Sequence, residues 1–454
     1  MKIARLVPVL DELQARWAGR AVLALTQKFG GGDQGLIDEL EALGARVAAV
    51  VNAGPPEPGA PVVEHLWTCA PRRLNNMEFD AYLADPPQEF ADWLRTVDPA
   101  GDLTVLGNPF THVPEVLGRR VYGWRRPRWA ALEDKTAIDA FWQSAAVPAP
   151  PHAVLPVDSP DIADHFDELR GPLGAILAMD STRTYVGNAE GLRWVRSVAE
   201  LATAVDACRG STDRIRLASF LPGVPCSILG MVLERGVAVF DPIEIVTLRD
   251  AAAGALVFCG SSTAWRPGFE AIEEMRRHVR RAGLALREDV GFRGFFSVDG
   301  IWGAHGFSAT ELNPRHASGL GLRTAWPRFP AYMFQRAVQE GDASVADVRP
   351  DDLELALRPV IRAHPSLSVR VPAPSVPGRM AIEDTVEIAV AEKPATRRQV
   401  IRYRARAGAA ALVSVEPALP DGTVGPAAAA LARELGATGL TSFRDDQVGV
   451  LARQ

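Results

Sequence analysis

Along the first third of the chain, apolar residues switch between two periods. "AVLALTQ" (21–27) is a short apolar run that ends in the loop "KFGGGDQG". "LIDELEALG" follows with apolar residues at helical spacing and Gly44 placed as a C-terminal stop. "ARVAAVVNAG" is a second apolar run, and "DLTVLGNP" repeats the strand-then-turn signal. Alternation of this kind predicts βαβ units and a parallel sheet covered by helices. The loop "FGGGDQG" matches neither G-x-G-x-x-G nor G-x-x-x-x-G-K-[ST], so its glycines are read as the conformational need of a strand-to-helix turn.

The pattern changes after "RRVYGWRRPRW" (119–129), which reads as a strand and linker with solvated or paired arginines. "EDKTAIDAFWQSAAVPAP" predicts an amphipathic helix closed by a proline breaker. Residues 171–260 are rich in short β-type runs with glycine turns. "FEAIEEMRRHVRRAGLALRED" predicts a long helix with "MRRHVRR" on its solvated face. "GFRGFFSVDG" and "GFSATELNP" predict paired strands joined by a hairpin at "GIWGAHG". "HPSLSVRVPAPSVPG" (364–378) breaks the periodicity and reads as a linker or irregular connection. The tail mixes the strand-like "VEIAVAE" and "AALVSVE" with an alanine-rich helix, "GPAAAALARELG".

Composition narrows the function classes. The 454 residues leave room for two or three domains. With 49 basic and 55 acidic side chains the net charge is −6, which gives no broad footprint for nucleic acid. Four cysteines lie far apart without a C-x-x-C pair, which speaks against a disulfide framework or zinc site and for a reducing compartment. The N-terminus meets Asp11 and Glu12 before any long apolar run, unlike a secretory signal. No window approaches the ~20 apolar residues of a membrane-spanning helix, and a cytoplasmic protein is expected.

The densest chemistry lies in "SATELNPRHASG" (308–319). In a strand, Glu311, Asn313 and Arg315 share one face, and Thr310, Leu312 and Pro314 take the other. The preceding run splits likewise, with Phe296 and Val298 on one face and Ser297 and Asp299 on the other. Pairing the apolar faces brings Asp299 to Glu311 and Asn313. Two carboxylates without a counter-charge are unfavourable, and a hard divalent cation such as Mg²⁺ resolves this with oxygen ligands. Arg315 can stabilise negative charge beside the cation, such as a transferring phosphoryl group. The competing possibility is a sheet face carrying a carboxylate–arginine ion-pair network.

The acidic residue on one strand followed by E-x-N-x-R on the next resembles the ATP-grasp superfamily. "EDKTAIDAFWQSAAVPAPPHAVL" is similar to that superfamily's opening segment, "ASFLPGVPCSI" to its adenine-binding hinge, and "GNAEGLRWV" to its glycine loop. The resemblance covers about 128–341 and implies ATP and Mg²⁺ as cofactors. It implies Asp299, Glu311 and Asn313 as metal ligands and Arg315 as the catalytic cation. It implies Lys135, Gly187, Asn188, Gly191, Ala218, Ser219 and Leu221 as ATP contacts. "LGNPFTHVPEVLGRRVYGWRRPRWAALEDKTAIDAFW", "FSVDG…TELNPR" and "PDGTVGPAAAALARELGATGL" further resemble the pheganomycin-type peptide ligases.

The implied fold class is mixed α/β and α+β. It has an N-terminal parallel-sheet pre-ATP-grasp domain (1–128), an ATP-grasp core of two α+β subdomains (129–345) and a small C-terminal α+β domain (346–454). The implied reaction is ATP-dependent joining of a small-molecule carboxylate to an amino acid or peptide amine, through an acyl phosphate, in peptide natural-product biosynthesis. A homodimer fits the resemblance; nucleic-acid and membrane partners do not. An ATP-grasp kinase and a catalytically weakened nucleotide-binding protein stay open as alternatives. Ala178 stands where the superfamily usually has a lysine and Ala218 where it has a glutamate; Arg183 or Arg193 are candidate substitutes for the cation. Arg249, Arg266 and His316 are candidate substrate contacts, the first two because they follow strand-like segments near the core.

Overall fold

A computed structural model describes residues 5–181, 189, 191–316, 329–363, 367–376, 382–392 and 395–443. The first sheet is built from β1 (Ala21–Thr26), β2 (Arg46–Asn52), β3 (His65–Thr68), β4 (Thr104–Leu106), β5 (Glu115–Val116) and β6 (Arg119–Tyr122), in the order β3-β2-β1-β4-β6-β5. All of its pairings are parallel except β5 with β6. The continuous apolar runs of β1 and β2 are what a sheet buried on both faces requires. Gly44 has a positive φ of 79° just past the helix Gln34–Ala42, the left-handed geometry that stops a helix.

The second sheet holds β7 (His152–Pro156), β8 (Ala175–Met179), β9 (Leu192–Val195) and β10 (Arg214–Ser219), in the antiparallel order β7-β10-β8-β9. The third is a long antiparallel sheet. It starts from β11 (Val224–Leu233), β12 (Gly236–Asp250), β13 (Ala255–Ser262), β14 (Gly294–Gly303) and β15 (Gly306–Asn313). It continues through β16 (Leu367–Pro372), β17 (Ile382–Glu392), β18 (Ala395–Arg406) and β19 (Ala409–Glu416), in the order β15-β14-β11-β12-β13-β16-β19-β18-β17. A further strand, β20 (Leu440–Ser442), pairs with β12.

Two expectations change here. The proline-rich segment 364–378 contains β16, because Val369 and Val371 bury against the sheet despite the surrounding prolines. The "MRRHVRR" stretch is not wholly solvated either. In the helix Phe269–Val290, Arg276 falls on the buried face with Ile272, Met275, Val279 and Leu286. Its guanidinium donates to the Val239 carbonyl at 3.2 and 3.1 Å and pairs with Glu354, which supplies the hydrogen bonds that a buried charge needs.

The helix Phe269–Val290 covers one face of β11, β12 and β14 in a core with Phe296, Val298 and Leu312, leaving the opposite face to the cleft. The first sheet is fixed against this body by the helix Ala331–Glu340. Arg336 Nε donates to the Gly107 carbonyl at 3.1 Å, and Gln339 donates to the Trp124 carbonyl at 2.6 Å. The helix Gly425–Glu434 packs on β12, β16 and β19, and the buried Glu244 carboxylate accepts from the amides of Val424 and Gly425 at 2.7 and 2.8 Å. A carboxylate there satisfies amides that the helix start leaves unpaired.

One local irregularity matters for the cleft. The β14–β15 register pairs Asp299 with Glu311 but Gly300 with Ala309, a β-bulge that gives β15 one extra residue, Thr310. A side chain at Gly300 would run into the Ser308 carbonyl and the Phe307 ring. Gly300→Ala should therefore lower stability by ~1–3 kcal/mol, the usual range for overpacking. Chemical denaturation would show it, with the midpoint moved and the slope unchanged.

Candidate functional site

Between the second sheet and the free face of the third lies one cleft with two parts. The inner part, about 630 Å³, is lined by Ile176, Ala178, Ala218, Ser219, Phe220 and Leu221, with Lys135 and Arg216. The outer part, about 1260 Å³, is lined by Ser227, Leu229, Ile243, Ile245, Asp299, Asn313 and Arg315 among others. Leu192, Leu256, Ile301, Thr310, Glu311 and Phe443 line both, so the parts are continuous. The inner end is mainly apolar, and the acidic side chains stand at the junction.

The strand pair builds that junction. Asp299 sits directly opposite Glu311, and Ser297 opposite Asn313. The Ser227 hydroxyl on β11 donates to Asp299 Oδ1 at 2.5 Å, and Asn313 Nδ2 donates to Asp299 Oδ2 at 3.1 Å. Burial, then the Glu311 charge, push the Asp299 carboxyl up to about 7 against the opposing pull of Ser227, Arg315 and Ser297. Lys135 Nζ lies 3.0 Å from Glu311 Oε2, the nearest cationic group on that carboxylate among the described residues. Thr310 was expected on the opposite face from Glu311. The bulge brings both residues to the cleft, and the Thr310 hydroxyl donates to the Asp299 carbonyl at 3.2 Å.

Arg315 reaches the site by a different route from simple alternation. β15 ends at Asn313, and the Arg315 amide turns back onto the Asn313 carbonyl at 2.8 Å. Arg315 Nη2 then donates to Asn313 Oδ1 at 2.7 Å and Nε to Glu133 Oε1 at 2.7 Å, with the guanidinium 4.8 Å from the Phe110 ring centroid. Glu133 also accepts from Arg125 Nη2 at 2.7 Å. Burial pushes the Glu133 carboxyl up, but Arg125 and Arg315 more than offset it and hold it below the ordinary carboxylate range. Asn313 Oδ1 keeps a second lone pair, so two carboxylate groups and an amide oxygen can face one cation. Such a donor set suits a hard ion that keeps several waters. Among the described residues no group of three or more His, Cys, Asp and Glu forms a metal cluster, so the set here is two carboxylates completed by the Asn313 amide oxygen.

The remaining candidates separate. Ala218, Ser219 and Leu221 line the inner cavity, and Gly191 is buried near its rim, where its carbonyl accepts from the Met179 amide at 3.2 Å. Gly187, Asn188 and Arg183 lie outside the described residues. His316 stacks on Tyr332 with ring centroids 4.7 Å apart and lines a separate cavity of about 370 Å³ with Asn108, Arg125, Arg315 and Arg336. Arg249 and Arg266 are not brought to the cleft. Arg249 is 1% exposed, held among Trp194, Phe220 and Phe443 at 5.1–5.7 Å from the ring centroids, with Nη2 on the Ser442 carbonyl. Arg266 spends its guanidinium on the carbonyls of Thr263, Trp265 and Arg362.

Three cleft residues, and Glu133 that braces Arg315 behind them, leave little trace in the sequence. Glu133 carries the weak signal of adjoining "DK", but its partner Arg315 is 182 positions away. Ser227 and Arg216 depend on which strands become neighbours. Phe443, stacked on Phe220 at 5.2 Å, is delivered by β20 from the far end of the chain.

No protein-family model matches the sequence, and no curated protein matches it. Solved structures do. The biotin carboxylase domain of Hydrogenobacter thermophilus 2-oxoglutarate carboxylase, in complex with MgADP, ADP and bicarbonate, superposes with a TM-score of 0.57 at 15% identity, covering 88% of this chain and 84% of that one. The L-amino acid ligase from Bacillus licheniformis gives 0.54 at 14% identity, covering 93% and 98%. N5-carboxyaminoimidazole synthase from Aspergillus clavatus, in complex with ADP and 5-aminoimidazole ribonucleotide, gives 0.52 at 13% identity, covering 88% and 95%. This chain has the ATP-grasp fold. Its mixed α/β and α+β architecture is that of the fold, and the cleft lies between the two antiparallel sheets of the ATP-grasp body. Among the described residues no helix is long and apolar enough to cross a membrane.

Proposed function

We propose that this ATP-grasp protein is an ATP-dependent carboxylate–amine ligase acting through an acyl phosphate. The observation that carries this reading is the Asp299–Glu311 pair, held face to face at the junction of the cleft, with Asp299 pushed up to about 7. Two carboxylates held that close, with Lys135 reaching Glu311 alone, suit a divalent cation between them. The fold likeness to an L-amino acid ligase over 93% of this chain supports the reading.

In this reading the inner cavity takes the adenine end of ATP against Ile176, Leu192, Phe220 and Leu221, and Lys135 faces the phosphates. Mg²⁺ at Asp299, Glu311 and Asn313 would offset phosphate charge and orient the terminal phosphate. A substrate carboxylate oxygen attacks the γ-phosphorus, and the bridging P–O bond breaks to release ADP. An amine nitrogen then attacks the acyl carbon, phosphate departs with the C–O bond, and the amine proton is lost to solvent. Arg315, fixed by Glu133 and Phe110, presents positive charge where charge develops in both steps. Positioning and charge stabilisation carry most of the rate.

The acid and amine are proposed as amino acids or short peptides, within peptide natural-product biosynthesis, on the strength of the pheganomycin-type motifs. The division at 128 and 345 is proposed on the same basis.

Nucleotide titration with and without Mg²⁺ tests the reading. A metal bound at Asp299 displaces its proton, and that carboxyl is protonated below about 7. Mg²⁺-dependent ATP affinity should therefore hold above neutral pH and weaken ~tenfold per unit below it. Calorimetric titration at pH 6 and pH 8 would show this. Affinity independent of both Mg²⁺ and pH would contradict the metal assignment.

A further inference from the structure

We propose that Arg216 is a nucleotide-contacting residue, delivering from β10 a cation to the phosphates of the bound nucleotide. The proposal rests on the nucleotide reading above and adds a contact that reading does not contain.

Arg216 is 5% exposed and lines the inner cavity beside apolar neighbours. Its Nε and Nη2 both bind the Asp139 carboxylate, each at 2.7 Å, in a bidentate pair. Asp139 is held in turn by His152, whose Nε2 lies 3.3 Å away. Nη1 has no acceptor among the described residues. Directly opposite on β8, in register, stands Ala178. Directly opposed residues share a face of the sheet, so a small side chain there leaves the space over β8 to the guanidinium.

Among the described residues three charged side chains line this cavity: Lys135, Glu311 and Arg216. Lys135 and Glu311 face each other at 3.0 Å, whereas Arg216 is neutralised from behind by Asp139. A buried arginine–carboxylate pair brings little stability over apolar residues of similar size. Its placement on the wall of a ligand cavity is explained by what the remaining N–H groups can bind. A guanidinium locked from behind loses little freedom on meeting an anion. The cation absent from position 178 on β8 is thereby present one strand away.

The test is calorimetric titration of Mg·ATP, Mg·ADP and adenosine into wild type and variants, with thermal unfolding of each variant without ligand as the fold control. Arg216→Met is combined with Asp139→Asn, so that no carboxylate is left buried alone. The double variant should bind Mg·ATP and Mg·ADP ~10–100-fold more weakly, the loss of a charge-assisted contact, with adenosine affinity unchanged. Adding Ala178→Lys to it should restore ~tenfold. Arg216→Lys keeps the ion pair, and even if the double variant does not fold it should weaken Mg·ATP binding measurably and leave adenosine unaffected. Folded variants that bind Mg·ATP as wild type does overturn the proposal. Equal loss for adenosine overturns the phosphate contact and assigns Arg216 to cavity shape. Wild type that binds no nucleotide removes the underlying reading, an outcome separate from the other two.

Discussion

Asp299→Asn should abolish Mg²⁺-dependent turnover and, at the same time, make the metal-free protein more stable. The substitution keeps the shape of the side chain and both of its hydrogen bonds, since the new amide can accept from Asn313 and donate to Ser227. It removes a charge that stands directly opposite Glu311. A folded-state carboxyl raised from 3.8 to about 7 holds its proton longer than in the unfolded chain. Stability therefore falls as pH rises between those values, and the penalty is complete above about 7. The gain from asparagine should appear at pH 8, as an increase in Tm of roughly 1 °C for each ~1 kcal/mol recovered in a chain of this length, and vanish near pH 4. Turnover should fall ~10³-fold or more, the rate equivalent of several kcal/mol of metal stabilisation. Loss of activity with a fall in Tm at pH 8 would instead mean that Asp299 is a structural partner.

Glu133→Ala is the second large effect, and its sign is opposite for stability. Glu133 holds Arg125 and Arg315 together, each at 2.7 Å, with its side chain 10% exposed. Removing it leaves two guanidinium groups close together without their shared counter-charge, which should cost about 3–5 kcal/mol. Arg315 would also lose the contact that fixes it beside Asn313, so turnover should fall even at temperatures where the variant is folded. Adding Arg125→Met should recover part of the stability and none of the turnover. Denaturant unfolding and steady-state rates measured on both variants separate the two contributions. Recovery of turnover along with stability would show that Glu133 acts on the fold alone.

The strand pair is the part of the site that alternation makes legible. Phe296 and Val298 enter the core while Ser297 and Asp299 face the cleft, as period-two patterning requires. The bulge at Asp299–Gly300 is not legible, because it depends on the Ser308 carbonyl and Phe307 ring crowding Gly300 across the pair. The position of Arg315 follows from a turn and from Glu133, neither of which leaves a periodic trace. Arg249 reads as a cation near the core, which it is, but three aromatic rings enclose it, Trp194 on β9 and Phe220 just after β10 from the second sheet, and Phe443 from the end of β20. Long-range pairings of this kind decide which polar residues are ligands and which are fasteners. The β16 strand illustrates the reverse case, in which sheet pairing with β13 and β19 overrides a proline-rich local sequence.

Phosphate release from Mg·ATP, measured with pooled amino acids and short peptides and followed by mass spectrometry of the products, tests the ligase directly. The account predicts release that requires both a carboxylate and an amine, yields an amide with one ADP per bond, and is lost in Asp299→Asn. A phosphorylated product formed without any amine would contradict it and make the protein a kinase built on the same cleft.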